Sequence, residues 1–243
     1  MKLGSERLDK FLSNESGISR KDIKSIIKNG RVSVNNNIIT NPEFKIDSEK
    51  DSIFLDSNKI NHTGKIVIAM NKPNGVICST EKGSTPTVID ILPPDLKVKG
   101  LSPAGRLDKD TTGLVIITND GDLIHRLISP KKHVSKQYNV TLSRPFESFY
   151  ITAIKRGITL SNGEKCLPAR VEQSGVKNCK LILTEGKYHQ VKRMFAALGN
   201  NVEKLERVAI GKFILPPNLA PGESMLILHK DLLNLECISE LFF

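Results

Sequence analysis

The sequence predicts an α+β protein. A small N-terminal domain of helices and a hairpin, residues 1–60, precedes a larger domain, residues 61–243, built on a mixed, mainly antiparallel β-sheet flanked by helices. Three observations lead there. The chain up to Thr40 alternates helical and hairpin patterns. From Lys65 onward, apolar β-branched runs follow one another with helices at irregular intervals. No phosphate-loop or dinucleotide fingerprint marks a doubly wound sheet, and no internal repeat is present.

In the small domain Ser5 is placed to cap a first short helix whose inner face carries Leu8, Phe11 and Leu12. Ser19 caps a second, with Asp22 three residues on, close to a capping box, and Ile23, Ile26 and Ile27 as its buried stripe. Asn29-Gly30 ends that helix. "RVSV" and "IIT" then flank Asn35-Asn36-Asn37, a turn that tolerates positive φ. "KIDSEKDSIFLD" adds a further strand, and the polar stretch Ser57–Gly64 is taken as the linker.

In the larger domain "KIVIAMNKP" is a strand entering a Lys72-Pro73-Asn74-Gly75 turn, and "VICST" is a strand leaving it. "TVIDIL" has the pattern of a short helix. "LVIITND" is a buried strand, and "GDLIHRL" begins the helix after it. "HVSKQYNVTL" is a strand, "ESFYITAIKRG" a helix, and "ARVEQSG" with "NCKLILTEG" a hairpin. In "YHQVKRMFAALG" Val191, Met194, Phe195 and Leu198 recur at helical spacing. Gly186 is expected to supply the sharp turn into this helix, and Gly199 ends it. "NNVEKLERVAIGKFIL" and "GESMLIL" complete the sheet.

Apolar residues make up 39% of the chain and charged residues 26%, which fits a globular protein and not a disordered one. No apolar run approaches the roughly 20 residues that span a bilayer, and "MKLGSERLDKFL" lacks a signal-peptide core. A cytoplasmic protein with no membrane partner is expected. Cys78, Cys166, Cys179 and Cys237 are too widely spaced for a metal knuckle and are expected to be reduced thiols. The histidines are equally scattered, so neither metal nor cofactor is expected.

The net charge of +10 points to a polyanionic partner. Its placement says more. Residues 1–35 hold eight basic side chains against four acidic ones. Lys21, Lys24 and Lys28 share one face of the second helix, with Arg20 at its start. Arg7 and Lys10 belong to the first helix and Arg31 to the strand that follows. A lysine stripe alone is usually a solvated face; together these residues form a basic surface suited to phosphates.

"AGRLDKDTTGL" sets Arg106, Asp108 and Asp110 beside Gly105 and Thr111-Thr112, directly ahead of a strand that must be buried. By itself Asp108 is a loop carboxylate paired with Arg106 or capping a turn. Tyr188, His189, Gln190, Lys192 and Arg193 fall in the first turns of a helix, and alone they form its wet, basic side. Tyr138 in "SKQYNV" is, in isolation, a core or interface tyrosine.

Taken together the motifs point further. "RLDKFL" and "SRKDIKSIIKNGRVSVNN" resemble the S-four-type (alpha-L) RNA-binding module. "GRLDKDTTGL", "KQY" and "EGKYHQVKRMF", in that order after it, resemble the motifs of pseudouridine synthases, from Arg7 to about Gly222. "DTTGL" and "YHQVKRMF" are closest to the branch acting on small-subunit ribosomal RNA. The resemblance implies isomerisation of a uridine to pseudouridine in 16S ribosomal RNA, with uridine 516 as the family's target, by a monomer that needs no cofactor. It makes Asp108 the catalytic carboxylate, Lys192 the cation that pairs with it and keeps it ionised, and Tyr138 the ring that stacks under the target uracil and a candidate for proton removal. Arg106 is left to hold a phosphate or fill the space of the extruded nucleotide, and His189, Gln190 and Arg193 to contact RNA. Attack on the sugar, attack on the ring and a glycal route all remain open, and each needs an ionised Asp108. Two alternatives also remain: a synthase acting on 23S ribosomal RNA, and a non-catalytic factor that binds ribosomal RNA or a partly assembled particle.

Overall fold

A computed structural model of the chain describes residues 5–60, 64–81, 83–228 and 232. They separate into two units, the residues up to 65 with 98–100, and residues 66–97 with those from 101 onward.

In chain order the first unit contains β1 (Ser5–Arg7), α1 (Leu8–Ser16), α2 (Arg20–Lys28), β2 (Val32–Val34), β3 (Asn37–Ile38), β4 (Lys45–Asp47), β5 (Ile53–Leu55) and β6 (Asn58–Ile60). β1 pairs with β4, and the other strands form an antiparallel sheet ordered β3-β2-β5-β6. The helices bury Leu8, Phe11, Leu12, Ile23 and Ile27 against Val32, Val34, Ile46, Ile53 and Leu55, with Ile26 packed at the edge of this core. Ser19 caps α2 as expected: its hydroxyl accepts from the Asp22 amide at 3.2 Å and donates to the Asp22 carboxylate at 2.6 Å.

Four expectations are corrected here. Ser5 does not cap α1; it lies in β1, and the first amides of α1 are satisfied instead by carbonyls, Leu8 by Phe44 at 2.9 Å and Asp9 by Pro42 at 3.1 Å. The loop just ahead of β4 has taken over the capping task. Arg7 accordingly belongs to β1 and not to the helix. The hairpin turn is Asn35-Asn36, with φ of 50° and 67°, while Asn37 enters β3. Ser57–Gly64 is not all linker: Asp56-Ser57 repeats the same left-handed turn, and Asn58–Ile60 forms β6. Three residues with two polar, exposed side chains carry no alternation that could reveal an edge strand.

The second unit contains β7 (Val67–Lys72), β8 (Ser102–Pro103), β9 (Thr112–Thr118), α3 (Gly121–Ile128), β10 (Lys136–Leu142), α4 (Phe149–Arg156), β11 (Arg170–Gln173), β12 (Asn178–Leu183), α5 (Gln190–Ala197), β13 (Val202–Ile210), β14 (Phe213–Ile214) and β15 (Ser224–Leu226). The sheet runs β11-β12-β10-β13-β9-β7-β15, with β8 on β9 and β14 on β13. Every neighbouring pair is antiparallel except β13 with β9. β7 is buried along its whole length and β9 nearly so. Asp120 caps α3, and the Leu123 and Leu127 side chains of that helix close over Val67, Ala69, Leu114 and Ile116.

Two expected elements are absent. "TVIDIL" forms turns, because the Asp90 carboxylate accepts from both the amide and the hydroxyl of Thr87 at 2.9 Å and Pro93-Pro94 forbid continuation. "VICST" makes one isolated bridge, Ile77 to Thr87, and no strand. Cys78, Cys166 and Cys179 are buried free thiols, and Cys237 lies outside the described residues.

Candidate active site

The site is organised where β9 and β13 run side by side. At Gly113 a β-carbon would lie 2.3 Å from the Arg207 carbonyl oxygen, and φ is +97°. Only glycine permits this approach, and it places the loop before β9 at the head of the sheet.

That loop, residues 104–111, is tied down from beneath. Lys72, at the end of β7, is fully buried, and its ammonium donates to the carbonyls of Pro73, Lys109 and Thr111 at 3.1, 3.2 and 2.7 Å. Burial lowers the Lys72 pKa, and the nearby Asp110 and Asp108 charges work against that shift. The Gly75 amide donates to the Lys109 carbonyl at 2.9 Å, the Thr111 amide to the Asp108 carbonyl at 3.1 Å, and the Leu107 amide to the Cys78 sulfur at 3.4 Å. Asp108 therefore projects from a loop with few free backbone groups.

A cleft opens beside it. Its walls include Asp108 and Thr111 from the loop, Tyr138 from β10, Leu183 from β12, Leu205 from β13 and Val191 from α5. Tyr138 is 7% exposed, and its register partner on β13 is Arg207. The Arg207 side chain is buried, with Nε donating to the Leu114 carbonyl at 2.8 Å. Burial and the Arg207 charge lower Lys136, two residues before Tyr138, to about 8.

On the opposite side, Lys192 Nζ lies 3.7 Å from Asp108 and donates to both carboxylate oxygens of Asp110, at 2.6 and 2.7 Å. These bonds hold Asp110 below the usual carboxylate range. His189 Nε2 is 3.4 Å from Asp108. The arrangement brings a carboxylate, an ammonium, an imidazole and a phenol ring to one apolar-walled cleft. It suits a planar ring held against Tyr138 while an oxygen of Asp108 faces it.

The sequence expectations divide accordingly. Asp108, Tyr138, Arg106, His189 and Gln190 line the cleft together, and Lys192, not itself a lining residue, stands 3.7 Å from Asp108. No ion pair joins Arg106 to Asp108 among the described residues; Arg106 is exposed. Lys192 hydrogen-bonds Asp110 rather than Asp108, because Asp110 stands further out on the loop, nearer the lysine's reach. Tyr188 and His189 are not in the helix but in a turn ahead of it, and His189, in the left-handed conformation at φ +48°, makes the sharp turn expected of Gly186. Gln190 is buried, and its amide is occupied by Glu185 and the Lys187 amide. Arg193 pairs with Glu164 at 3.2 Å and donates to the Tyr188 carbonyl. Sequence reasoning assigned no site role to Lys72, Cys78 or Arg207, and it singled out Asp110 without assigning it the lysine. The Lys-Pro-Asn-Gly turn contained a signal for Lys72, since a lysine ending a fully apolar strand must find buried acceptors.

In the first unit the arginines are engaged internally. Asp9 is buried and accepts from Arg7 at 3.0 and 2.9 Å and from Arg20 at 3.2 and 3.1 Å, with Lys24 at 4.0 Å. Burial alone would raise the Asp9 pKa; the two guanidinium groups outweigh it and lower the value to about 2. Arg31 binds Asp56 through two hydrogen bonds. Lys21, Lys24 and Lys28 are exposed along α2, and Lys10 is half-buried on α1.

Residues 66–197, more than half of the chain, match the family described as RNA pseudouridylate synthase. The chain belongs to this family. Residues 6–53 match the S4 domain, which coincides with the first unit described above. This pseudouridylate synthase is 40% identical over 230 residues to YtzG, an uncharacterised RNA pseudouridine synthase of Bacillus subtilis, across 93% of this chain and 96% of the relative. It is 42% identical over 219 residues to the ribosomal small subunit pseudouridine synthase A of Escherichia coli, across 89% and 94% of the two chains. The Vibrio cholerae protein of that name is 40% identical over 94% of this chain and 99% of its own. A crystal structure of a pseudouridylate synthase, 38% identical, superposes with a TM-score of 0.68 over 94% of this chain and 99% of that one. Pseudouridine synthases are isomerases, so the chain is an enzyme of that class, with the expected S4 unit and mixed sheet. Among the described residues no helix is long and apolar enough to cross a membrane.

Proposed function

We propose that the chain converts one uridine of 16S ribosomal RNA to pseudouridine, at the position the resemblance implies, uridine 516, and that Asp108 is the catalytic carboxylate. The observation that carries this reading is the convergence of Asp108, Tyr138 and Lys192, far apart in the chain, on one cleft. The relatives named for the small ribosomal subunit support the choice of RNA.

In the reaction the bond from the ribose anomeric carbon to ring nitrogen one breaks, the uracil turns, and a bond forms from the same carbon to ring carbon five. The proton on carbon five is lost and nitrogen one gains one, so the change is redox-neutral. The target base leaves its stack at a cost of a few kcal/mol. Tyr138 stacks against it, Leu205 and Val191 exclude water, and Asp108, with the Lys192 ammonium 3.7 Å away, faces the sugar and ring. Attack on the sugar, attack on the ring and proton removal to a glycal all use the ionised form. Arg106 occupies the space of the extruded nucleotide or holds a phosphate beside it. The S4 unit anchors structured RNA through α2, and the chain acts as a cytoplasmic monomer.

The test is a modification map. Purified protein is incubated with 16S and 23S ribosomal RNA, free and in partly assembled particles, and pseudouridine is located by carbodiimide labelling and primer extension. A new stop in 16S RNA is the expected result. A stop only in 23S RNA reassigns the substrate, and no stop in either leaves an RNA-binding factor.

A further inference from the structure

Tyr188 is 74% exposed and lies between Lys187 and His189, both of which line the cleft. Its ring is stacked on the His189 imidazole, with centroids 3.8 Å apart and planes within 19°. That imidazole is itself 3.4 Å from Asp108. We propose that Tyr188, backed by His189, is a stacking platform for the RNA base next to the target uridine. This inference rests on the uridine-to-pseudouridine reading above and names a binding subsite for it.

Three features support the platform. First, it is built in advance. His189 is held at φ +48°, a conformation that side chains other than glycine rarely adopt. The turn is locked from several directions: Gln190 accepts from the Lys187 amide at 2.9 Å, the Arg193 amide donates to the His189 carbonyl at 3.0 Å, and the Arg193 guanidinium donates to the Tyr188 carbonyl at 3.2 Å. Strain retained in so many bonds is a common mark of a functional segment. Second, one face of the phenol ring is covered by His189 while the ring as a whole stays exposed, so an aromatic surface is left to solvent. Third, the setting is cationic. Arg106, exposed and lining the cleft, supplies the charge, since Lys187 and Arg193 on the same turn and helix are held by Glu164 at 2.9 and 3.2 Å.

The occupant follows from base flipping. When the target uridine leaves its stack, the adjoining base loses a partner. Two short contacts separate the Tyr188 ring from Asp108, which keeps it within reach of that neighbour. Aromatic side chains accept any base, because every base has a π-face. The platform therefore steadies the RNA around the extruded nucleotide without reading the identity of the neighbour.

The test uses the full chain carrying Asp108→Asn, so that binding is read without turnover. A fragment of the modified RNA carries 2-aminopurine on either side of the target uridine. Quenching is expected at one of the two positions. Adding Tyr188→Ala should abolish it and weaken binding roughly ten-fold, whereas Tyr188→Phe and Tyr188→Trp should retain both. In the otherwise native enzyme Tyr188→Ala should raise KM and leave kcat nearly unchanged. Quenching and affinity unaffected by Tyr188→Ala overturn the platform, as does loss of both in Tyr188→Phe and Tyr188→Trp. A native chain that makes no pseudouridine overturns the function reading instead, a separate failure.

Discussion

Lys192 passes Asp108 at 3.7 Å and closes on Asp110 at 2.6 and 2.7 Å. The ammonium is therefore shared by two carboxylates of one loop, strongly by the outer and weakly by the inner. Asp110 is exposed, and an exposed ion pair contributes little stability.

If Lys192 serves Asp108, Asp110→Asn should release it inward, and turnover should change by less than about ten-fold. Lys192→Ala should cost on the order of 10²–10³-fold, the range for removing one group that stabilises charge in a reacting site. Single-turnover rates on ribosomal RNA compare the two. Equal losses would assign the work to the Lys192–Asp110 pair instead.

Asp9 should contribute to the acid stability of the S4 unit. Its folded pKa, about 2, lies below the ordinary 3.8. A depressed carboxylate contributes stability that is complete above its unfolded pKa and is lost as pH falls through the folded value. The shift corresponds to about 2 kcal/mol. Asp9→Asn should lower the melting temperature of the unit at neutral pH, and the gap from wild type should close between about pH 4 and pH 2. Calorimetry across that range reads it; a gap constant with pH would remove Asp9 from this role.

Gly113→Ala should cost more than about 3 kcal/mol, because the new methyl group meets a backbone carbonyl that cannot move aside. Gly186→Ala, at an ordinary φ with nothing within 4 Å of an added methyl, should stay within about 0.5 kcal/mol of wild type. Denaturant unfolding of the two variants makes the comparison. A mild Gly113→Ala would mean that β9 and β13 can part without loss of the sheet.

Since Arg7, Arg20 and Arg31 are held by carboxylates, the phosphate contacts of the S4 unit should fall to the lysines of α2. Lys21→Ala, Lys24→Ala and Lys28→Ala together should weaken RNA binding and reduce the slope of log affinity against log salt by about 2, at roughly 0.7 per lost contact. Filter binding over a salt series measures it. An unchanged slope would place the RNA elsewhere on this unit.

Several of these relationships were legible in the sequence and others were not. The cap at Ser19, the buried strand β9 and the helix carrying Lys192 follow from local pattern, because their residues decide their own conformation. Ser5 misled because the segment leading into β4 supplied carbonyl acceptors, Phe44 and Pro42, that a cap would have replaced. "TVIDIL" misled because a side-chain bond within it, Asp90 to Thr87, competes with the helix its apolar spacing favours. The role of Gly113 depends on β9 lying beside β13, ninety residues away, and no local signal encodes that neighbour. The motifs placed Asp108 and Lys192 in one site and paired them, and no local signal foretold that the hydrogen bonds of Lys192 would go to Asp110, two residues on, with Asp108 left at 3.7 Å.

The most direct measurement is made on Asp108→Asn, a near-isosteric change that removes the charge and leaves the loop bonds to Lys72 in place. Pseudouridine formation and RNA affinity are followed in parallel with the wild-type chain. Product falling below detection while the dissociation constant stays within about three-fold is the predicted result. Turnover at the wild-type rate would show that another group does the chemistry in this cleft.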